Sequence, residues 1–590
     1  MMLRLLFAAL LCLPIGDFVF AQNSRDAQER YNTKAISTPT IVDLKSPSTF
    51  IWTDKTVYLP GQSLTLRFSQ NPNDNEYPYQ APYCSYFLYL EDMQTGVKQY
   101  YPSNQSSPVV DIFNVGADSN SGRYQTYRVP TAENVVWFGS GGFQGGTRTV
   151  PSSPGTYRWV MELRDATGTY IESIGYAPFT VVESIETLSG NITSDRTLTN
   201  NKAYLLSGIV FVQPPATLTI EPGTILFGET ETLGGLCVTP GAKIHAVGTA
   251  GRPIVFTSPA PVGSRQAGDW FGVVLAGNAP INVTGGTAQV EGVETVQYGG
   301  TDPDDDSGIM RYIRIEFSGF KFTPTREANA LYLCGVGRGT VLEYLHFNHN
   351  SDDNIEFFGG TAQIKYVYAS GGEDDQLDWT EGWEGKAQFV ITHVFRDSGG
   401  NRGIEADNWE GDNNATPRSS PQIYNMTIIG PEQNYSEGEG KADHGLMLRR
   451  GTAGTLRNFI VMGYGRDAIN MIDDATIAQA NAGTLSFDNA ILYNNGVFGA
   501  DGVGTFGNAN TQSWIQSKSK IVLTDTDPML VDPYNERTPD YRPGYMSPAT
   551  RIDVVQHPPD DGFFSPVDFI GGMGPDNNWL AGGWVYVTPN

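Results

Sequence analysis

The sequence predicts an all-β protein, a right-handed parallel β-helix preceded by an immunoglobulin-like β-sandwich. Three observations support this fold class. Short segments alternate apolar and polar residues with a period of two, glycine supplies 67 of the 590 residues, and paired strand-like segments recur through the second half of the chain. Helical repeats are excluded because the alternation has the period of strands and glycine is too frequent.

The first residues have the pattern of a secretory signal peptide, which we assign to 1–21. Arg4 precedes an apolar run over 5–15, and the small residue Ala21 suits the cleavage site. The run is shorter than the roughly 20 residues that a membrane span needs. We therefore expect a secreted or cell-surface protein without a transmembrane segment, in which the polar residues 22–45 form a linker.

The acidic composition of the chain excludes two classes of partner. Asp and Glu number 64 against 38 Lys and Arg, so the formal net charge is −26. A surface of this sign repels the phosphates of nucleic acid and the headgroups of anionic lipid.

Cysteine usage does not describe a disulfide framework. Cys84, Cys237 and Cys334 follow the signal, and an odd number cannot pair completely. Cys237 and Cys334 lie in apolar segments, so we expect buried free thiols there. No CxxC or HxxxH spacing supports a zinc site.

Residues 46–183 predict the immunoglobulin-like sandwich. Segments such as 63–68, 85–90 and 157–163 alternate apolar and polar residues, and the turns between them are rich in Gly, Pro and Asn. A module of this size with short, regularly spaced strands is most simply a two-sheet sandwich.

Residues 186–590 predict the parallel β-helix, with a cap formed by 563–590. Six three-residue cores recur at spacings of 24, 22, 27, 42 and 23 residues, each followed by a glycine turn and a second strand. Their central residues are Tyr332, Glu356, Asp378, Glu405, Met447 and Asn470. The flanking apolar residues must point inward, so the central ones point outward and stack about 4.8 Å apart.

Several motifs in this part resemble a family of secreted, mostly uncharacterised bacterial parallel β-helix proteins. They are LTIEPGTI at 218–225, GDWFGVV at 268–274, QYGGTD at 297–302, RIEFSG at 314–319, DDNIEFFGG at 352–360 and MGPDNNW at 573–579. The resemblance covers about 186–590 and implies an extracellular β-helix. It implies no activity and does not include the N-terminal sandwich.

Carboxylates concentrate on this predicted outward stack. Residues 301–413 hold 21 Asp and Glu against 9 Lys and Arg, an excess of 12 acids. Acids on adjacent coils repel unless a cation binds or a proton is shared. Calcium is the expected ligand because oxygen donors dominate, and the alternative is a solvated acidic face. The candidate metal ligands are Asp304, Asp306, Asp352, Asp353, Asp374 and Asp375.

Two functions fit these residues. The first hypothesis is a rigid binding or scaffold module for a polysaccharide or a surface protein, with calcium-stabilised turns. The second is a polysaccharide hydrolase or lyase. In an enzyme, Glu356, Asp378 and Glu405 are the catalytic candidates, and a lyase would add a basic residue such as Arg402, Arg449 or Lys386. Four aromatic side chains would stack on sugar rings or pack in the core: Tyr332, Trp379, Trp383 and Trp409.

Overall fold

The computed structural model of the protein describes residues 50–69, 84–101, 110–111, 127–128, 137–138, 146–165, 170–323, 326–396, 398–431, 442–496, 504–551 and 553–587. The predicted signal peptide (1–21) and linker (22–45) lie outside these residues. Helices span Asp474–Ala482 and Ala509–Lys518, and a 3-10 turn spans Pro548–Thr550. No helix in the described ranges is long and apolar enough to cross a membrane. The predicted all-β character is confirmed.

The N-terminal module contains antiparallel strand pairs and, among its described strands, one parallel pair. Its strands are β1 (Phe50–Thr53), β2 (Val57–Tyr58), β3 (Ser63–Ser69), β4 (Cys84–Asp92), β5 (Lys98–Tyr101), β6 (Val110–Asp111), β7 (Tyr127–Arg128), β8 (Trp137–Phe138), β9 (Gly146–Thr149), β10 (Gly155–Asp165) and β11 (Tyr170–Val181). One sheet has the order β1-β3-β9 and another the order β2-β11-β10-β4-β5, in which β2 is parallel to β11. Tyr58, Trp159 and Phe179 are buried between strands, which gives the module its own core. Its immunoglobulin-like topology stays a prediction.

The remaining strands form the coil, two hairpins and a C-terminal pair. They are β12 (Ser184–Leu188), β13 (Asn191–Ile192), β14 (Arg196–Leu198), β15 (Lys202–Leu206), β16 (Ile209–Val212), β17 (Thr217–Ile220), β18 (Ile225–Gly228), β19 (Gly235–Val238), β20 (Lys243–Val247), β21 (Ile254–Thr257), β22 (Gly272–Ala276), β23 (Ala288–Val290), β24 (Val293–Tyr298), β25 (Gly308–Glu316), β26 (Lys321–Thr323), β27 (Arg326–Glu327), β28 (Leu331–Cys334), β29 (Val341–Asn348), β30 (Ile355–Phe358), β31 (Gln363–Ser370), β32 (Asp378–Thr380), β33 (Lys386–His393), β34 (Arg402–Ala406), β35 (Gln422–Ile429), β36 (His444–Leu448), β37 (Gly454–Met462), β38 (Asp467–Met471), β39 (Leu485–Tyr493), β40 (Val522–Thr524), β41 (Leu530–Asp532) and β42 (Asp540–Pro543).

Two long parallel sheets build the coil, and the hairpins β23–β24 and β26–β27 and the C-terminal pair β41–β42 lie outside these sheets. The site sheet has the order β13-β16-β19-β22-β28-β30-β32-β34-β36-β38, and the back sheet runs from β12 through β25 and β29 to β40. Successive strands of each sheet come from successive coils, which is the arrangement of a parallel β-helix and confirms that prediction. The predicted stack is also confirmed, because each pair of central residues lies in register from Tyr332 to Asn470.

The interior of the coil is a continuous apolar core. In β30, Ile355 and Phe357 are fully buried while Glu356 between them is half-buried, as the strand alternation requires. Cys237 and Cys334 are free and buried as predicted, and burial raises the pKa of the Cys237 thiol to about 12. The side chain of Cys84 lies outside the described residues.

From β25 to β39, each long strand of the back sheet turns a corner at a residue with positive φ. Tyr312, Tyr344, Tyr366 and Phe389 occupy this position on successive coils, with φ between 53° and 59°. Their rings stack with centroids 4.4, 4.5 and 4.9 Å apart, and contact along the column offsets the cost of the left-handed backbone. Asn425 and later asparagines occupy the same position on the following coils. Asparagine tolerates the left-handed backbone conformation.

The C-terminal residues 530–551 and 553–587, here called the strap, run back along this corner. Asn489 Nδ2 donates to the Val554 carbonyl at 2.9 Å and Asn458 Nδ2 to the Gln556 carbonyl at 2.7 Å. Trp584 is fully buried, edge-on to the Tyr344 ring. The strap thus covers the side of the coil, where the sequence analysis expected 563–590 to form a cap.

Candidate active site

Three carboxylates stack in register on the outward face of the site sheet. Glu356 pairs with Asp378, and Asp378 pairs with Glu405, so neighbouring side chains are about one strand spacing, roughly 4.8 Å, apart. Glu356 and Asp378 are half-buried, whereas Glu405 is only 4% exposed. Tyr332 precedes the stack and Met447 follows it, so the charged part of the column covers three coils.

Further acids from the turns before these strands join the stack in two groups. The outer group consists of Glu327, Asp352 and Asp374, all half-buried, with carboxylate oxygens within 4.8 Å of one another. The inner group consists of Asp353, Glu356, Asp375, Asp378 and Glu405, which fall into two sets of three that share Asp378. The 22-residue repeat positions both groups, because Asp352 and Asp374, like Asp353 and Asp375, come from equivalent positions of adjacent coils.

Arginines neutralise one end of the inner group. Arg402 contacts Glu405 and lies 3.0 Å from Asp375, and Arg449 also contacts Glu405. Arg449 and Arg450 bind Asp407 at 2.7 and 2.6 Å. Burial raises the pKa of Asp407 to about 7, against the attraction of Arg450.

The other end of the inner group lacks this compensation. Burial, reinforced by neighbouring carboxylates, raises the pKa values of Asp353, Glu356 and Asp378 well above their usual range. Among the described residues, Oδ1 of Asp375 and Oδ1 of Asp378 have no hydrogen-bond partner. The side-chain amide of Asn329 donates to Glu356, which favours its ionised form. Carboxyls in this arrangement hold protons or a cation at neutral pH.

Glu381 is a site residue that the sequence analysis missed. It lies one residue beyond β32 with φ 55°, and the Tyr298 hydroxyl donates to its Oε2 at 2.7 Å. Burial raises the pKa of Glu381 to about 7. Its partner comes from the β23–β24 hairpin, 83 residues earlier, and no local sequence signal could have identified the pair.

His444 and Asp467 form a second missed pair. His444 is in register with Arg402 on one side and with Asp467 on the other. Its Nδ1 lies 2.8 Å from Asp467 Oδ2, and both side chains are buried. The same ladder that aligns the carboxylates therefore carries polar side chains as far as Asp467, three coils beyond Asp375.

The structure corrects the expectation for three of the four aromatic candidates. Trp379 and Trp383 are fully buried in the inner core, where Trp379 Nε1 donates to Thr452 Oγ1 at 3.0 Å. Trp379 follows outward-facing Asp378, so strand alternation turns it inward. Tyr332 faces outward but is fully buried between the rings of Phe271 and Phe358. Trp409 is half-buried and keeps an accessible edge.

Two metal candidates lie apart from both carboxylate groups. Asp304 is exposed and pairs with Arg338 at 2.6 Å, and Asp306 is exposed and pairs with Lys243. Each therefore has a cationic partner of its own. Lys386, a candidate base for a lyase, lies on the back sheet and binds Asp561 of the strap at 2.6 Å, away from the stack.

Comparison with known proteins identifies a family for the coil. A family model described as a pectate-lyase-like beta helix domain matches residues 190–522, more than half of the chain. No curated protein matches the chain. Among solved structures, the chain is similar to the family 28 exopolygalacturonase of Yersinia enterocolitica, with 10% identity over 80% of this chain and 98% of that chain and a TM-score of 0.18. Values this low establish neither a shared fold nor a shared activity.

Proposed function

The chain belongs to the pectate-lyase-like β-helix domain family, and from this premise we propose that it binds an anionic polysaccharide on the outward face of the site sheet and hydrolyses its glycosidic bonds. The observation that carries the proposal is the in-register pair of half-buried carboxyls, Glu356 and Asp378. Glycosidic bonds are commonly cleaved by two carboxyl groups of which one is protonated and the other ionised.

The surroundings of the pair assign the two roles. Burial and the charges of Glu356 and Asp407 raise the pKa of Asp378, which favours its protonated form, and it would donate a proton to the leaving oxygen. Asn329 donates a hydrogen bond to Glu356, which favours the ionised form and suits a nucleophile. Adjacent strands bring the carboxyls within roughly 5 Å, close to the separation of retaining enzymes.

A lyase is less well supported by the same residues. β-Elimination needs a base that loses its proton near neutral pH, and arginine does not do so in proteins. Arg402 and Arg449 both contact Glu405. Burial lowers the pKa of Arg449, whereas at Arg402 the attraction of Asp375 and Asp374 outweighs burial and raises the pKa. The two arginines suit a different role, in which they hold Glu405 in its ionised form. The negative charge of Glu405 then helps to keep the proton on Asp378.

The outer group is our proposed calcium site. Glu327, Asp352 and Asp374 supply only hard oxygen donors and are half-buried, so a hydrated cation can reach them. Calcium bound there would supply positive charge for the carboxylates of an anionic polysaccharide. A polymer of that sign would otherwise be repelled by the acidic face. The burial of Tyr332, Trp379 and Trp383 also favours recognition by charge over recognition by aromatic stacking.

The cellular setting is part of the proposal. A signal peptide at 1–21 fits a secreted enzyme, since polymeric substrates are outside the cell. An immunoglobulin-like module at 46–183 would then serve as an accessory domain beside the coil. The alternative function, a polysaccharide-binding scaffold without turnover, uses the same outward face and differs only in leaving the substrate intact.

The test is release of reducing ends from polygalacturonate, alginate and a neutral xylan in millimolar calcium. We expect cleavage of an acidic polymer, loss of at least about 100-fold in rate in Asp378→Asn and Glu356→Gln, and no effect in the matched control Asp306→Asn. All variants must keep the wild-type circular dichroism spectrum. Unsaturated products would indicate a lyase, and binding without any cleavage would indicate the scaffold.

A further inference from the structure

A cavity lies where the N-terminal module, the first coils and the strap meet. Its volume is about 370 Å³. The N-terminal module contributes strands β10 and β11, the coil contributes β18, β21 and the following loop, and the strap contributes 537–540 and 578–586. It lies at a different place from the carboxylate stack, because none of the stack residues lines it.

The charged side chains of the cavity wall are mostly arginines. Arg158, Arg265, Arg314 and Arg537 line it, and the acid among the lining residues, Asp540, is held by Arg542 at 2.6 Å. Arg265 and Arg314 are 3% and 5% exposed, so they belong to the deep part of the wall. Arg158 is half-buried and Arg537 exposed, which places them near the opening.

The two deep arginines share one close counter-ion. Arg314 Nε lies 2.6 Å from Glu316 Oε1, and Arg265 Nη1 lies 4.0 Å from Glu316 Oε2. Asp269 attracts Arg265 more weakly than Glu316 does, and Ser258 and the backbone of Gln266 occupy its carboxylate. Glu316 itself does not line the cavity. Arg158 is paired with Glu91 at 2.6 Å, and Glu91 does not line the cavity either. Four arginines and one acid therefore line the wall.

Apolar side chains make up much of the remaining wall, beside threonines, Asn578 and Tyr586. Val255, Val262, Phe179 and Leu580 are buried lining residues, and Ala581 to Gly583 form an exposed glycine-rich edge beside the opening. We propose that the cavity binds a small organic acid with an apolar body, its carboxylate paired with the guanidinium groups. Guanidinium suits a carboxylate because its planar fork can donate two parallel hydrogen bonds. An alkyl or aromatic body would fill the apolar remainder.

Binding there would join three separate parts of the chain. The ligand would contact the N-terminal module, the coil and the strap together, so it would stabilise their packing against one another. This consequence is independent of the carboxylate stack and of polysaccharide cleavage.

The experiment is calorimetric titration of the full chain with octanoate and with cinnamate, each compared with its alcohol. We expect saturable binding of one acid per chain with a Kd below about 1 mM and at least about tenfold weaker binding of the alcohol. Val262→Trp should abolish binding by filling the cavity, while the matched Val247→Trp, at a position 36% exposed outside the cavity, should not.

Three outcomes would overturn the proposal: no saturable binding of either acid, equal binding of acid and alcohol, or unchanged binding in a Val262→Trp protein. Where Val262→Trp does not fold, Arg537→Ala at the opening replaces it and should weaken binding of the acid but not of the alcohol. The preferred acid should also raise the melting temperature of the wild type and leave that of Val262→Trp unchanged.

Discussion

Glu356 and Asp378 are direct cross-strand partners on the outward face of the coil, yet their surroundings differ. Asn329 donates a hydrogen bond to Glu356, whereas Oδ1 of Asp378 has no hydrogen-bond partner among the described residues. Asp378 also adjoins Glu405, which Arg402 and Arg449 hold in its charged form. Burial raises the pKa of both groups, but the Asn329 hydrogen bond opposes that rise at Glu356, so the two carboxyls have different surroundings, as acid–base work requires.

The pH dependence of hydrolysis should reflect this pair. We expect a bell-shaped profile of kcat/KM in which the acidic limb reports ionisation of Glu356 and the alkaline limb reports loss of the proton from Asp378. The residual activity of Asp378→Asn should lack the alkaline limb, because the amide does not titrate. An alkaline limb that persists unchanged in this variant would show that another group is the acid.

The stability of the calcium-free protein should fall with rising pH because of Asp378. Burial and neighbouring carboxylates raise its pKa in the folded state above the unfolded value of about 3.9. The resulting stabilisation is fully present below the unfolded pKa and is lost as the pH rises through the folded one. The unfolding free energy of Asp378→Asn should therefore rise relative to that of the wild type as the pH increases. The total rise should be about 1.4 kcal/mol for every tenfold difference in the proton affinity of Asp378 between the folded and unfolded states. A constant difference from pH 4 to 8 would contradict this.

Calcium should act through the outer group and separately from the inner one. We expect calcium to raise the melting temperature of the wild type and of Asp378→Asn, but not of Asp374→Asn, which loses one of three ligands. Burial raises the pKa of Asp374 to about 6, so the calcium effect should weaken below that pH as protons compete. Asp304→Asn is the control and should keep the calcium effect. Loss of the effect in this variant would mean that calcium does not bind at the outer group.

Trp379 should matter for stability and Trp409 for substrate. Trp379→Phe removes the hydrogen bond to Thr452 and part of a fully buried ring, so we expect a loss of about 1–3 kcal/mol in unfolding free energy and an unchanged KM. Trp409→Ala should keep the stability and raise KM by about 2- to 10-fold if its accessible edge contacts sugar. The reverse pattern would mean that the core assignment of Trp379 is wrong.

The strap should be required for stability of the coil. Trp584 is fully buried against the column of Tyr312 and Tyr344. Trp584→Ala should therefore lower the unfolding free energy by about 3–5 kcal/mol. Tyr545→Ala, on the same strap but 91% exposed, should change it by less than about 0.5 kcal/mol. Equal effects of the two substitutions in urea titration would contradict a packed strap.

The sequence by itself determined the coil and its outward stack. Period-two alternation and the spacing of the repeats were enough to align Tyr332, Glu356, Asp378, Glu405, Met447 and Asn470, because a parallel coil has little freedom to place equivalent residues anywhere but in register.

Only the tertiary structure decided which of those residues are accessible and which carry partners. Tyr332 faces outward but is buried in a cluster that includes Val293 of the β23–β24 hairpin. Glu381 meets Tyr298 across 83 residues, and the strap returns over the back sheet instead of closing the end. Local alternation fixes only the direction of a side chain. The groups that cover a side chain, neutralise it or shift its pKa come from segments that are distant in the sequence. The repeat period carries no information about those segments.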